Sequence, residues 1–203
     1  MSHLLRLSLI AAAMTAFLGY LVTSHANARA GGTEVVLDVR GYDPRDIFLG
    51  HYSLITTELG QLDAVALAGE DEFETGDPIY VVLAPGSDGN WQPVSLHTMR
   101  PDTGTFIHGF VRSSYRVDSE PTEPVPGEAV QPAPVHRIWV HARFNIERYY
   151  ASREMAQELD EHLRDMRLEG IQTTRLILSL PPNGNAIIKG FEIDGVRRID
   201  RLW

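Results

Sequence analysis

Sixteen consecutive residues without a charge, Leu7 to Val22 (LSLIAAAMTAFLGYLV), most limit what this chain can become. They follow a short basic start, Arg6 and the terminal amine, which is the arrangement of an export signal. The run lies between the apolar region of a secretory leader and a full span of roughly 20 residues. Two readings follow. In one, Ala26-Asn27-Ala28 or Ala28-Arg29-Ala30 is a small-residue cleavage site. In the other, residues 1–30 are retained as an anchor, lengthened by Leu4 and Leu5 with Arg6 snorkelling to the interface. Positive charge at the very start puts the remainder outside the cytoplasm, although Arg29 on the far side weakens the asymmetry. In a Gram-negative cell the expected location is the inner membrane, single-pass, with the bulk of the chain periplasmic.

Beyond that segment the chain is acidic. All 27 acidic residues lie at or beyond Glu34, together with 16 of the 18 basic ones, a formal charge of −11 for the body. Such a surface repels phosphate backbones, so no nucleic-acid partner is expected. There are no cysteines, which removes disulfides, thiol catalysis and Cys-ligated metals. With 203 residues and 43% hydrophobic content, one domain over residues 31–203 is sufficient.

The body reads as strands. Val35, Leu37 and Val39 alternate in Thr33 to Val39. Further strands are predicted over Tyr52 to Leu59, the short apolar Leu62 to Leu67, Ile79 to Leu83, Trp91 to His97, Phe106 to Tyr115 and His136 to Phe144, and over Ile171 to Leu180 and Asn185 to Ile193. Gly109, inside one of them, marks a bulge or a close backbone approach. Pro85 to Asn90 and Pro181-Pro182-Asn183-Gly184 are turns. Residues 118–134 collect prolines and glutamates without periodicity, the pattern of an exposed loop. A single helix is predicted after the Ser152 cap, with Met155, Leu159, Leu163 and Met166 on one face and Gly170 at its end. Many strands and one helix imply a mainly β (α+β) fold, an antiparallel barrel or sandwich with one packed helix.

Two stretches carry more chemistry than the rest. In Asp43-Pro44-Arg45-Asp46, Pro44 fixes a turn that holds two carboxylates and a guanidinium together, and Gly50-His51-Tyr52 leads from it into a strand. In Phe144-Asn145-Ile146-Glu147-Arg148-Tyr149-Tyr150, Asn145 is the non-glycine residue that best tolerates positive φ at a bend. If the two bends meet, Asp46 and Glu147 would form a carboxylate pair suited to acid–base work or a hard metal. Against that, Arg45 bridging the carboxylates of its own turn is a sufficient structural reading.

The eight histidines are scattered, no His-Glu-x-x-His or Gly-x-Ser-x-Gly motif occurs, and the only lysine is Lys189. No catalytic residue, cofactor or metal is therefore assigned, and an enzyme is the less favoured class. His51 is the histidine of interest, as a solvated or hydrogen-bonded loop residue or as a catalytic one.

Asp43-Pro44-Arg45-Asp46 with Gly50-x-Tyr52-x-x-Ile55 resembles the Asp-Pro-Arg-Asp segment and Gly-Asp-Tyr-x-x-Leu-x-Tyr signature of the GDYXXLXY-domain family. His51 stands where that family has Asp, Ile55 where it has Leu, and Thr57 where it has the last Tyr. Phe144 to Tyr150 resembles its Tyr-Gly-Ile-Glu-x-Phe-Phe block, Arg100-Pro101 its Arg-Pro, and Ala186 to Gly195 its closing strand. The resemblance implies a membrane-anchored bacterial protein whose partner is a multi-pass inner-membrane protein. On this reading Asp43, Arg45, Asp46, Gly50, His51, Tyr52, Glu147, Arg148 and Tyr149 are the candidate interaction residues of an envelope accessory module. The alternatives are an envelope enzyme or small-ligand sensor using Asp43, Asp46, His51, Tyr52 and Glu147, and a purely structural role for both blocks.

Overall fold

The computed structural model describes residues 3–41, 52–119, 135–150 and 174–200. Helix α1 (His3–Gly31) is continuous, with no proline to interrupt it. At 1.5 Å per residue it is about 43 Å long. Its apolar side chains point away from the domain on every side: Leu4 is 77% and Phe17 61% exposed. A helix that is apolar all round and covered by nothing is the form that satisfies its own backbone in lipid, and α1 is long and apolar enough to cross a membrane.

The far end of α1 is fastened to the domain. Arg29 is buried, and its guanidinium donates to the carbonyl of Lys189 at 2.7 Å and twice to that of Asp200 at 3.0 Å. Ser179 Oγ donates to Ala28 O at 3.0 Å. Gly32 follows at once, in a position where a Cβ would lie 2.8 Å from the backbone of Leu180 and Pro181. Helix and sheet are thus joined by a close backbone crossing.

Strands β1 (Thr33–Gly41), β2 (Tyr52–Leu54), β3 (Thr56–Thr57), β4 (Gln61–Asp63) and β5 (Ala68–Gly69) lead to the longer β6 (Pro78–Pro85), β7 (Trp91–His97), β8 (Thr105–Ser119) and β9 (Val135–Arg143). Then come β10 (Arg148–Tyr150), β11 (Thr174–Leu180), β12 (Ile187–Ile193) and β13 (Val196–Ile199). They form a five-stranded sheet, β13-β12-β11-β1-β3, a curled six-stranded sheet, β4-β9-β8-β6-β7-β5, and a two-stranded ribbon, β10-β2. All pairings are antiparallel except the two-residue bridge of β5 to β7.

One core lies between the sheets, as the alternation requires. Val35, Leu37 and Val39 of β1 and Leu176 and Leu178 of β11 face Ile79, Val81, Ile107, Val111, Val140 and Ala142 of the larger sheet. Gly109 packs against the Phe144 ring, whose Cδ1 would be 2.5 Å from any Cβ there. It marks a close approach, and the bulge comes three residues later, at Arg112.

Other boundaries differ from the sequence reading for local reasons. The strand predicted over Tyr52 to Leu59 is divided between two partners, β2 pairing with β10 and β3 with β1, and ends in the 3-10 turn Glu58–Gly60. Of the next apolar stretch, Leu62 to Leu67, only Leu62 and Asp63 pair, as part of β4. Strand β8 runs through Asp118, whose carboxylate meets His136 at 2.7 Å, so the loop starts later than expected. Residues 120–134, Gly50 and the helix predicted after Ser152 lie outside the described residues.

Candidate functional site

Phe144-Asn145-Ile146-Glu147 folds back on itself. Asn145 adopts φ 60°, and the Glu147 carboxylate accepts the Phe144 N–H at 2.7 Å, closing a four-residue turn. Phe144 and Ile146 are buried on either side of it, so the core holds the turn in place. The chain leaves as β10, which pairs with β2 in the register Arg148↔Leu54, Tyr149↔Ser53 and Tyr150↔Tyr52. Ile55 N–H donates to Glu147 O at 2.9 Å and extends the ladder toward the turn. Two stretches about 100 residues apart in sequence therefore share one ribbon.

Beside the ribbon is a cleft of about 420 Å³ lined by Ile55, Thr56, Thr57, Arg112, His141 and Glu147, with Gly60, Ser113, Ala142 and Phe144 completing it. It lies where edge strand β3 of the smaller sheet approaches β8 and β9 of the larger one. Arg112 faces it because of the irregularity in β8. Val111 pairs with Ala142 and Ser113 with His141, leaving Arg112 as the extra residue. Among the described residues Arg112 makes no hydrogen bond or ion pair. The His141 ring stacks on Tyr115, with Nε2 and the phenol oxygen 3.4 Å apart.

Of the residues singled out from sequence, Tyr52, Glu147, Arg148 and Tyr149 are brought together by the β2–β10 pairing. Asp43, Arg45, Asp46, Gly50 and His51 lie outside the described residues, and with them the Asp46–Glu147 pair. Their segment joins Gly41, opposite Thr56 of the cleft, to Tyr52 of the ribbon. Sequence reasoning passed over Arg112 and His141. The register shift that exposes Arg112 depends on a partner strand about 30 residues away and leaves no local signature.

A separate charged network covers the outer face of the smaller sheet. Glu34 binds Lys189 at 2.6 Å and also Arg197; Arg175 lies between Asp38 at 3.4 Å and Glu192 at 3.3 Å. Hydrogen bonding to Lys189 and then Arg197 holds the Glu34 carboxyl below its ordinary range. Buried Asn90, 4% exposed, donates to both Asp38 and Asp88. These charges satisfy one another across β1, β11, β12 and β13, which is the behaviour of a sheet-stiffening face. Among the described residues no group of three or more His, Asp or Glu side chains is placed to hold a metal ion.

Compared with protein-family models, residues 14–191 match the family described as GDYXXLXY protein. No curated protein and no solved structure matches the chain.

Proposed function

The chain belongs to the GDYXXLXY protein family, and on that premise we propose that it is a membrane-anchored accessory module that docks on a multi-pass inner-membrane protein from the periplasmic side. The observation that supports this reading is the β2–β10 ribbon, in which Tyr52–Leu54 of the first signature block pair with Arg148–Tyr150 of the second. The anchor supports it. Counting Leu4 and Leu5, the apolar part of α1 covers residues 4–22, about 29 Å, against a hydrocarbon core of about 30 Å. Residues 23–31 continue as helix into the Ala28 and Arg29 contacts: cleavage after Ala28 would remove the carbonyl that accepts from Ser179, and cleavage after Ala30 the Arg29 bonds as well, so retention of the anchor preserves all of them. The domain is then held at a fixed distance and orientation over the bilayer, a geometry suited to meeting a neighbour in the same membrane. Being tethered beside its partner raises the effective concentration to roughly the millimolar range, so a modest interface suffices.

The test is capture from intact cells. A full-length chain carrying a C-terminal tag is cross-linked, extracted from solubilised membranes and purified. Recovery of a multi-pass membrane protein in near-equal amount is expected, together with protease access to the body in spheroplasts. Recovery of the chain alone, or its release from cells by osmotic shock as a soluble species, would contradict the proposal.

A further inference from the structure

We propose that the cleft beside the ribbon grips an acidic peptide segment of the partner, with the segment's carboxylate on the Arg112 guanidinium and a backbone N–H on the second carboxylate oxygen of Glu147. This deepens the docking reading above and rests on it. The starting point is a pair of opposite charges that line one cleft and do not meet. Arg112 and Glu147 form no ion pair with each other. Glu147 uses Oε1 on the Phe144 N–H, and its other oxygen has no partner among the described residues. Arg112 is unengaged as well, although carboxylates pair with the arginine and lysine side chains on the outer face of the smaller sheet. A ligand that fits must bring an acceptor to one end and a donor to the other. A peptide with an acidic side chain has both.

The walls agree with that class. Thr56, Thr57 and Ser113 supply hydroxyls, while Ile55, Ala142 and Phe144 supply apolar surface for the stem of the side chain. The volume, about 420 Å³, lies in the range of small-ligand sites and admits a residue or two. Planar, forked recognition of carboxylate is what a guanidinium does best. A free anion is the weaker candidate, because the body carries a formal charge of −11 and repels it before contact. A carboxylate carried on a protein in the same bilayer is delivered in spite of that field.

The experiment uses the full-length chain in detergent micelles, with arginine side chains labelled for NMR, titrated with the blocked dipeptide N-acetyl-Glu-Ala-amide. The Arg112 Nε–H resonance is expected to move saturably, and Arg112→Gln and the Gln-containing dipeptide are each expected to weaken binding about ten-fold or more. Arg112 has no partner among the described residues, so R112Q is expected to unfold at the wild-type temperature, and measuring its midpoint keeps the comparison clean. Equal binding by R112Q, equal binding of the Gln dipeptide, or no saturable shift would overturn the assignment. So would acetate binding as tightly as the dipeptide, which would mark a small-carboxylate site. In the membrane capture, loss of the partner by R112Q alone supports the proposal. Capture by both chains removes the cleft from the interface and leaves the docking reading standing. Capture by neither, with dipeptide binding intact, removes the docking reading and leaves the carboxylate chemistry.

Discussion

Replacing Arg29 by alanine should loosen the joint between anchor and domain by an amount that can be reckoned from its contacts. The guanidinium makes three hydrogen bonds to two carbonyls, those of Lys189, within β12, and Asp200, just beyond β13. A hydrogen bond with a charged partner contributes about 1.5–3 kcal/mol, and two engaged carbonyls set an upper figure near 6 kcal/mol. Lys189 O keeps the Asp200 N–H as a donor at 2.9 Å, and Asp200 lies beyond the last strand where water can replace part of what is lost, so about 2–3 kcal/mol is expected for Arg29→Ala. For a domain of this size 1 kcal/mol moves the midpoint by about 2–4 °C, which gives a fall of about 4–12 °C. Thermal unfolding of the full-length chain in micelles, followed by circular dichroism, measures it. Arg29→Lys should recover less than half, because an ammonium cannot span both carbonyls in the same planar geometry. A midpoint within 1 °C of wild type for R29A, or complete rescue by R29K, would refute the reasoning.

Three further outcomes follow from the same contacts. Glu34 has a folded-state pKa depressed below 4.5 by Lys189 and Arg197, so its stabilising contribution is present above that value and lost as pH falls through the folded pKa. The urea midpoints of wild type and Glu34→Gln should accordingly differ at pH 7 and converge in acid; a difference that grows on acidification would reverse the sign. Gly109→Ala places a methyl 2.5 Å from the Phe144 ring and should destabilise by about 1–3 kcal/mol in urea unfolding, whereas Gly76→Ala, with no atom within 4 Å of the new Cβ, should show only the backbone cost of its positive φ. Glu147→Ala should cost about 1–2 kcal/mol by freeing the Phe144 N–H, with Glu147→Gln keeping an acceptor there and losing less than half as much.

Much of the architecture was legible because it is written locally. Val35, Leu37 and Val39 alternate and are buried; Trp91–His97 is a strand over the range its composition suggests. Asn145 takes the positive φ expected of an asparagine at a bend. What escaped was set by distant partners. Val196-Arg197-Arg198-Ile199 is a strand because β12 pairs with it, although every residue in it is exposed and the two arginines conceal any alternation. Arg29 read as a charge flanking an apolar run, and its carbonyl partners lie 160 and 171 residues away. For the candidate interaction residues the structure gives placement rather than role: the β2–β10 pairing puts Tyr52, Arg148 and Tyr149 on one ribbon with Glu147 adjoining it. The cleft was not legible, since Arg112 reaches it through a register shift that only the pairing with β9 creates.

The most direct test of the shared ribbon uses the absence of native cysteines. Tyr52 and Tyr150 are directly opposite in an antiparallel pair, where Cα atoms lie about 4.5–5.5 Å apart, within disulfide range. The double variant Tyr52→Cys/Tyr150→Cys, expressed at full length and oxidised in membranes, should form an intrachain disulfide that alters its mobility on non-reducing gels. The offset variant Tyr52→Cys/Arg148→Cys should remain reduced. Efficient bridging of the offset pair, or free thiols at the opposite pair, would mean that the two signature blocks do not pair in this register.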